Sequence, residues 1–222
     1  GHSLLDEMVV ETAGDLADSI SGEVKVVDLS ADFRLRDTDV YAQWYDREHS
    51  AVNLQPKAVY GLPEVNRDQV RKAPLVACPG CYPTAALLAL IPLLRAGQIS
   101  AEDIIIDAKS GVSGAGRSLK EANLFVEVAE AMHPYAVGQH RHMPEIEQEL
   151  TLAAGEDVRI SFTPPLVPMN RGELETIYVR LKEGTTVGDL KDQLVDAYAD
   201  EPFVSILEEG VVPATRMVRG SN

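Results

Sequence analysis

Between Ala73 and Leu94 the chain carries no charged side chain. A run that long and that apolar has to be buried, and its punctuation says in what. Pro74, Pro79, Gly80, Pro83 and Pro92 interrupt it, which argues against one membrane-crossing helix, because an internal proline removes a backbone hydrogen bond. It reads instead as a strand over 75–77, a turn at Cys78-Pro79-Gly80-Cys81, and a helix over 83–95 that stops at Gly97. A helix apolar nearly all round is buried on most sides. The segment therefore demands a layered α/β core.

The pattern on either side of this seam differs. Before it, Leu4, Leu5, Met8, Val9, Leu16 and Ile20 stand near helical spacing, residues 24–29 read as a short buried strand, 38–47 as a helix and 57–60 as a strand. After it, Ile104-Ile105-Ile106 reads as a buried strand feeding a glycine-rich loop over 110–117. A helix over about 118–131, an extended stretch over 134–140 and a helix from Pro144 to Leu150 follow. Residues 157–167 and 173–182 alternate as strands, antiparallel across Asn170-Arg171-Gly172, and are followed by an amphipathic helix over 187–199 and a last strand over 203–207. The order suggests part of a parallel α/β unit followed by an α+β domain.

Charge narrows the partners. Lys and Arg total 20 against 35 Asp and Glu, a net charge of −15, and such a surface repels phosphate backbones and anionic lipid. Nucleic acid and membrane are excluded as main partners, so an anionic ligand has to be met by local arginines and backbone N–H groups. Two cysteines make no disulfide scaffold and no signal peptide is visible, which reads as a soluble cytoplasmic protein.

Cys81 stands between a strand and the first turn of a helix, where the helix dipole favours thiolate and lowers the thiol pKa. The same place also suits an inert cysteine. Cys78 makes the pair a C-x-x-C, which supports thioredoxin-like exchange as a rival, although such a unit is about half this length. Cys78, Cys81, His140 and His142 also number enough for zinc, without the usual ligand spacing. His140 and His142 flank Arg141 just before a helix, and an imidazole activates a thiol across any sequence distance. Ser110, Gly111, Ser113, Gly114 and Gly116 offer backbone N–H groups to an anion, with Arg117 adding charge, yet match neither a P-loop nor a dinucleotide fingerprint, and the run suits a tight turn equally well. Arg34 and Arg171 are loop arginines able to grip a carboxylate or phosphate in a bidentate way.

Taken together, Pro79-Gly80-Cys81-Tyr82-Pro83-Thr84, the run Ser110 to Arg117 and His140-Arg141-His142-x-Pro144-Glu145 resemble the N-acetyl-gamma-glutamyl-phosphate reductase family, within the aspartate-semialdehyde dehydrogenase-like superfamily. Ala31-Asp32-Phe33-Arg34-Leu35, Tyr60-Gly61-Leu62-Pro63-Glu64 and Gly220-Ser221-Asn222 extend the likeness over nearly the whole chain. The resemblance implies NADP(H)-dependent, reversible conversion of an acyl phosphate to an aldehyde through a cysteine thioester, in arginine biosynthesis. By that likeness Cys81 is the nucleophile and His140 the acid/base, with His142 supporting. Ser110, Gly111, Ser113, Gly114 and Asn222 lie against the cofactor, and Arg34, Arg117 and Arg171 hold the substrate's anions. It also implies a partial NADP-binding Rossmann domain over 1–79 and a catalytic and oligomerisation domain over 80–222. That second domain has a mixed sheet like that of glyceraldehyde-3-phosphate dehydrogenase, in a homo-oligomer of two or four chains.

The family's glycine-rich dinucleotide loop belongs before residue 1, and family chains continue beyond Asn222, so an internal fragment is expected. Cys78 departs from the pattern and reads as incidental. Close relatives acting on aminoadipyl or aspartyl phosphate would share the thiol and imidazole. Two other classes stay open: a thiol–disulfide oxidoreductase using Cys78 and Cys81, and a non-catalytic oligomerisation module.

Overall fold

The first sheet is wholly parallel. In a computed structural model, which describes residues 25–116 and 118–221, β1 (Val26–Asp28), β2 (Ala58–Tyr60) and β3 (Leu75–Ala77) lie in the order β1-β3-β2. The helix expected over 4–20, Arg117 and Asn222 lie outside the described residues. Parallel neighbours need crossovers, and α1 (Thr38–Tyr45) and α2 (Pro63–Lys72) supply them. Asp37 caps α1 by accepting from the Asp39 and Val40 N–H groups, while α2 opens at Pro63, whose missing N–H costs nothing there. The central strand is the one the charge-free run provides, with Leu75, Val76 and Ala77 all buried. Phe33, Ala51 and Leu54 pack on Leu75 and Ala77. β1, expected to be buried, has one ladder partner among the described residues and leaves Val27 59% exposed.

The chain divides into two units, the first ending at Thr84 and the second beginning at Ala85. The boundary falls in the first turn of α3 (Cys81–Arg95), which buries Tyr82, Ala86, Leu87, Leu90, Ile91, Leu93 and Leu94 and ends where Gly97 turns to φ +66°. Pro92 lies inside α3 and has no N–H to offer the Leu88 carbonyl four residues back. Tyr198, the last residue of an amphipathic helix over 187–198, donates its Oη–H to that carbonyl at 2.6 Å. Tyr198→Phe is therefore expected to lower stability by about 0.5–1.5 kcal/mol, the net worth of a half-buried hydrogen bond. In a Pro92→Ala background, where the helix can supply its own N–H, the loss is expected to shrink. Thermal unfolding of the four proteins of this cycle measures the coupling.

The second unit is organised on β4 (Ile104–Gly111), whose Ile104, Ile106, Ala108 and Ser110 alternate into the core. Beyond it come a 3₁₀ turn (Val112–Ala115), α4 (Phe125–Val128), β5 (His133–Pro134), α5 (His142–Ala154), β6 (Ile160–Thr163), β7 (Pro165–Val167), β8 (Glu173–Tyr178) and α6 (Val187–Tyr198). β6 and β7 run parallel to β4, at Ile104–Asp107 and Ser110–Gly111 respectively, while β8 runs antiparallel to it from Ile105 to Ser110. β5 adds antiparallel to β7. The α/β expectation holds: a parallel unit is followed by a mixed sheet.

Several expected elements differ. The strands over 157–167 and 173–182 do not pair with each other as a hairpin, because β4 pairs with both of them. The helix expected over 118–131 is reduced to a 3₁₀ turn (Glu121–Asn123) and the single turn of α4. Its apolar residues find no cover among the described residues, with Leu119, Phe125 and Val126 exposed, and a short helix without a packed face does not repay its nucleation. Residues 134–140 turn rather than extend, through positive φ at Ala136 and Gly138. Residues 203–207 have no ladder partner among the described residues and form no strand.

Candidate active site

In the first unit the three parallel strands end on one edge, where β1 leads to Ser30, β2 to Gly61 and β3 to Cys78. Ligands of open α/β sheets bind outside that edge. The loop after β1 is tied down residue by residue. The Asp28 carboxylate accepts from Ser30 N–H and Oγ–H. Asp32 accepts from Tyr41 Oη–H and from Arg47, both at 2.6 Å, and its carbonyl lies 2.8 Å from His49 Nε2. Tyr41 is pushed well above the ordinary phenol range, mainly by burial and then by the neighbouring Asp32 carboxylate, so it stays a donor. Gln55 donates to the carbonyls of Phe33 and Leu35, on either side of Arg34. Arg34 itself donates Nε–H to the Cys78 carbonyl at 2.7 Å.

Cys81 is the first residue of α3 and is exposed. The Gly80 carbonyl takes the first helical hydrogen bond from Thr84 N–H, and Thr84 Oγ–H donates to it as well. The positive end of a fifteen-residue helix thus lies at the thiol. Cys78 is half-buried. Burial pushes its thiol up, the Arg34 guanidinium pulls it back and Asp28 adds a smaller push upward.

In the second unit His140 and His142 meet although no extended segment joins them, because α5 starts at His142. Their rings stand 4.8 Å apart, edge to face. The His142 backbone N–H donates to His140 Nδ1 at 3.1 Å, which leaves the ring proton of neutral His140 on Nε2, 3.2 Å from Tyr135 Oη. His140 also packs on Phe162 of β6. Burial first, and Arg141 second, push His140 down to about 4, so at neutral pH it is an uncharged Nε2–H donor. Glu145, one turn along α5, is fully buried.

The serine–glycine run takes the form of a tight turn, one of the two readings its sequence allows. Ser110 and Gly111 belong to β4, a 3₁₀ turn follows, and no helix N-terminus stands behind it among the described residues. Gly111 N–H donates to Gly172, Val112 N–H to Met169 and Ser113 N–H to Asn170. Gly111, Ser113 and Arg171 are thereby brought together, and Ser110 Oγ donates to the Gly111 carbonyl. A Cβ on Gly111 would lie 2.8 Å from Arg171 N and 2.9 Å from Asn170 C, backbone atoms that cannot step aside. Gly111→Ala is expected to cost about 1–3 kcal/mol through overpacking and to part the two segments, read as faster amide exchange at Val112 and Ser113.

Of the residues singled out from sequence, the structure gathers Arg34, Cys78 and Cys81 in the first unit, and His140 with His142 and Gly111 with Arg171 in the second. It adds Tyr135, whose place against His140 no sequence pattern announced. It also adds Glu175, opposite Ala108 and in phase with Ile177 on the face that carries Phe162. Burial, with Glu173 beside it, pushes Glu175 up to about 10. Among the described residues no group of three or more His, Cys, Asp or Glu is placed to hold a metal ion, and no helix is long and apolar enough to cross a membrane.

Two family models match the chain: "semialdehyde dehydrogenase, dimerisation domain" over residues 81–222 and "semialdehyde dehydrogenase, NAD binding domain" over 9–73. Curated relatives include N-acetyl-gamma-glutamyl-phosphate reductase of Rhodospirillum rubrum, 59% identical over 90% of this chain and 57% of that protein. Another is the probable chloroplastic enzyme of the same name from Arabidopsis thaliana, 54% identical over 95% of this chain and 53% of that one. The chain thus spans a little over half the length of these relatives. Among solved structures, aspartate semialdehyde dehydrogenase II of Vibrio cholerae aligns with a TM-score of 0.66 at 18% identity, over 97% of this chain and 64% of that one. The Candida albicans enzyme with NADP aligns at 0.54 and 16%, over 83% and 52%. At such identities the likeness is one of fold.

Proposed function

Since the chain belongs to the semialdehyde dehydrogenase family, we propose that the protein containing it reduces N-acetyl-glutamyl 5-phosphate to N-acetyl-glutamate 5-semialdehyde, a step of arginine biosynthesis. The observation that carries this reading is an exposed cysteine at the first position of α3, on the ligand-binding edge of a parallel sheet. The relatives' names supply the acyl group. The reading places residues 1–79 in a nucleotide-binding domain and 80–222 in a catalytic and oligomerisation domain, assembled as a cytoplasmic dimer or tetramer.

The Cys81 thiolate adds to the acyl carbon, the C–O bond to phosphate breaks, and inorganic phosphate leaves with the electron pair, producing a thioester. That parallel edge fits a dinucleotide, and we infer NADP(H) as the one used, held with the help of Ser110, Gly111, Ser113, Gly114 and Asn222. When bound, it supplies a hydride to the thioester carbon. His140, neutral with its proton on Nε2, donates a hydrogen bond to the acyl oxygen as negative charge gathers there. As that oxygen reforms its double bond, the C–S bond breaks and returns the Cys81 thiolate. His142 holds Nδ1 of His140 through its backbone N–H. Arg34, Arg117 and Arg171 meet the phosphate and the side-chain carboxylate, which lets a strongly acidic protein take an anion.

The test is to trap the acyl enzyme. Full-length protein mixed with N-acetyl-glutamyl phosphate in the absence of nucleotide is expected to gain one acyl group, which peptide mass spectrometry places on Cys81 and which NADPH then discharges as aldehyde. An adduct on Cys78, or none, would sink the reading.

A further inference from the structure

Arg34 has work besides meeting an anion, because one edge of its guanidinium is already committed. We propose that Arg34 is a positioning residue for the nucleophile: its Nε–H holds the Cys78 carbonyl and so fixes the turn that presents Cys81, while its charge sits beside that turn. The inference rests on the reading of Cys81 as the attacking thiol.

The turn needs such a hold. β3 ends at Ala77, Cys78 N–H still donates to the Asp28 carbonyl, and beyond it Pro79 has no N–H to join a ladder. The Gly80 carbonyl is taken by the helix it starts. What reaches the Cys78 carbonyl from outside is Arg34, at 2.7 Å, with Nη2 at 3.4 Å from the Leu29 carbonyl at the end of β1. A strut is only as good as its footing, and this one is over-determined. Gln55 fixes the carbonyls before and after Arg34, and Asp32, two residues earlier, is locked by Tyr41, Arg47 and His49. A buried network of that kind is more than an arginine waiting for a ligand needs, whereas a rigid reach to the Cys78 carbonyl does need it. The charged groups acting on the Cys78 thiol are Arg34 and Asp28, and the arginine exerts the larger influence. A fixed cation beside a turn bearing a reactive cysteine favours its thiolate.

The experiment uses full-length protein in a Cys78→Ser background and iodoacetamide, a small neutral reagent that makes no use of an anion pocket. Cys81 labelling is followed by peptide mass across pH, alongside KM and kcat for the acyl phosphate. Arg34→Ala is expected to slow labelling at neutral pH by about 3–10-fold, with the gap narrowing in alkali, and to lower kcat as well as raise KM. Arg34→Lys, which keeps the charge but not the planar Nε–H, is expected to fall between the two, and it decides the matter if the alanine variant does not fold. Wild-type labelling rates in both variants, with only KM raised, would make Arg34 an anion anchor and overturn the inference. A wild-type Cys81 no more reactive than a free thiol would overturn the functional reading itself.

Discussion

Serine at position 81 is expected to lower aldehyde formation by about 10⁴-fold or more, since the hydroxyl is a far poorer nucleophile and leaving group than the thiolate. Serine at position 78 is expected to leave it within about twofold, as substitutions away from the chemistry do. The contrast follows from two cysteines three residues apart in unlike places. Cys81 is exposed at a helix start, while Cys78 is half-buried with its thiol pushed up by burial. NADPH oxidation with the acyl phosphate measures both rates. Equal losses from the two substitutions would point to dithiol exchange instead, and an active Cys81→Ser protein would remove the thioester altogether.

Position 140 carries the second large effect. His140→Ala is expected to reduce kcat by about 10²–10⁴-fold, the range for a lost proton-handling group. His140→Gln, whose amide N–H can stand near the place of Nε2, is expected to retain a measurable part of it. The pH dependence follows from the depressed pKa. With His140 ionising near 4, no activity limb from this group is expected around its ordinary value of 6.5, and the rise of rate toward neutrality belongs to the thiol. Stability moves in a defined direction too. The unfolded chain takes up the proton first as pH falls, so the contribution of His140 is fully present above pH 6.5 and is lost as pH drops toward 4. Thermal scans across that window should show a shallower decline in His140→Gln than in wild type.

Much of this was written locally in the chain. The charge-free run with its prolines set β3, the turn and α3, because both the need for burial and the stops lie in adjacent residues. Cys81 at the helix start was legible for the same reason. What escaped depends on distant neighbours. Three consecutive isoleucines at 104–106 say that a strand is buried, but not that β6 and β7 take one of its edges and β8 the other. The stretch 118–131 has the composition of a helix and lacks only a surface to cover, which composition does not record. Tyr135 meets His140 because the chain turns at Ala136 and Gly138, and two positive φ values leave little trace when only one of them falls on glycine. Glu175 was visible in principle, as an acid in phase with Ile177.

The position of β4 also bears on how the protein is made. Its ladder partners begin at Ile160 and end at Tyr178, so a chain growing from the ribosome exposes Ile104-Ile105-Ile106 long before anything can pair with it. At about 5–20 residues per second, the wait from Ile104 to Tyr178 lasts roughly 4–15 s. In the first sheet β1 waits only for β3, from Val26 to Ala77, a shorter interval of roughly 3–10 s at the same rate. Nascent chains are therefore open to chaperone capture and to aggregation through the isoleucine strand during a defined interval of synthesis. Slowing translation between codons 112 and 178 should worsen solubility, whereas a pause between codons 78 and 104 should not.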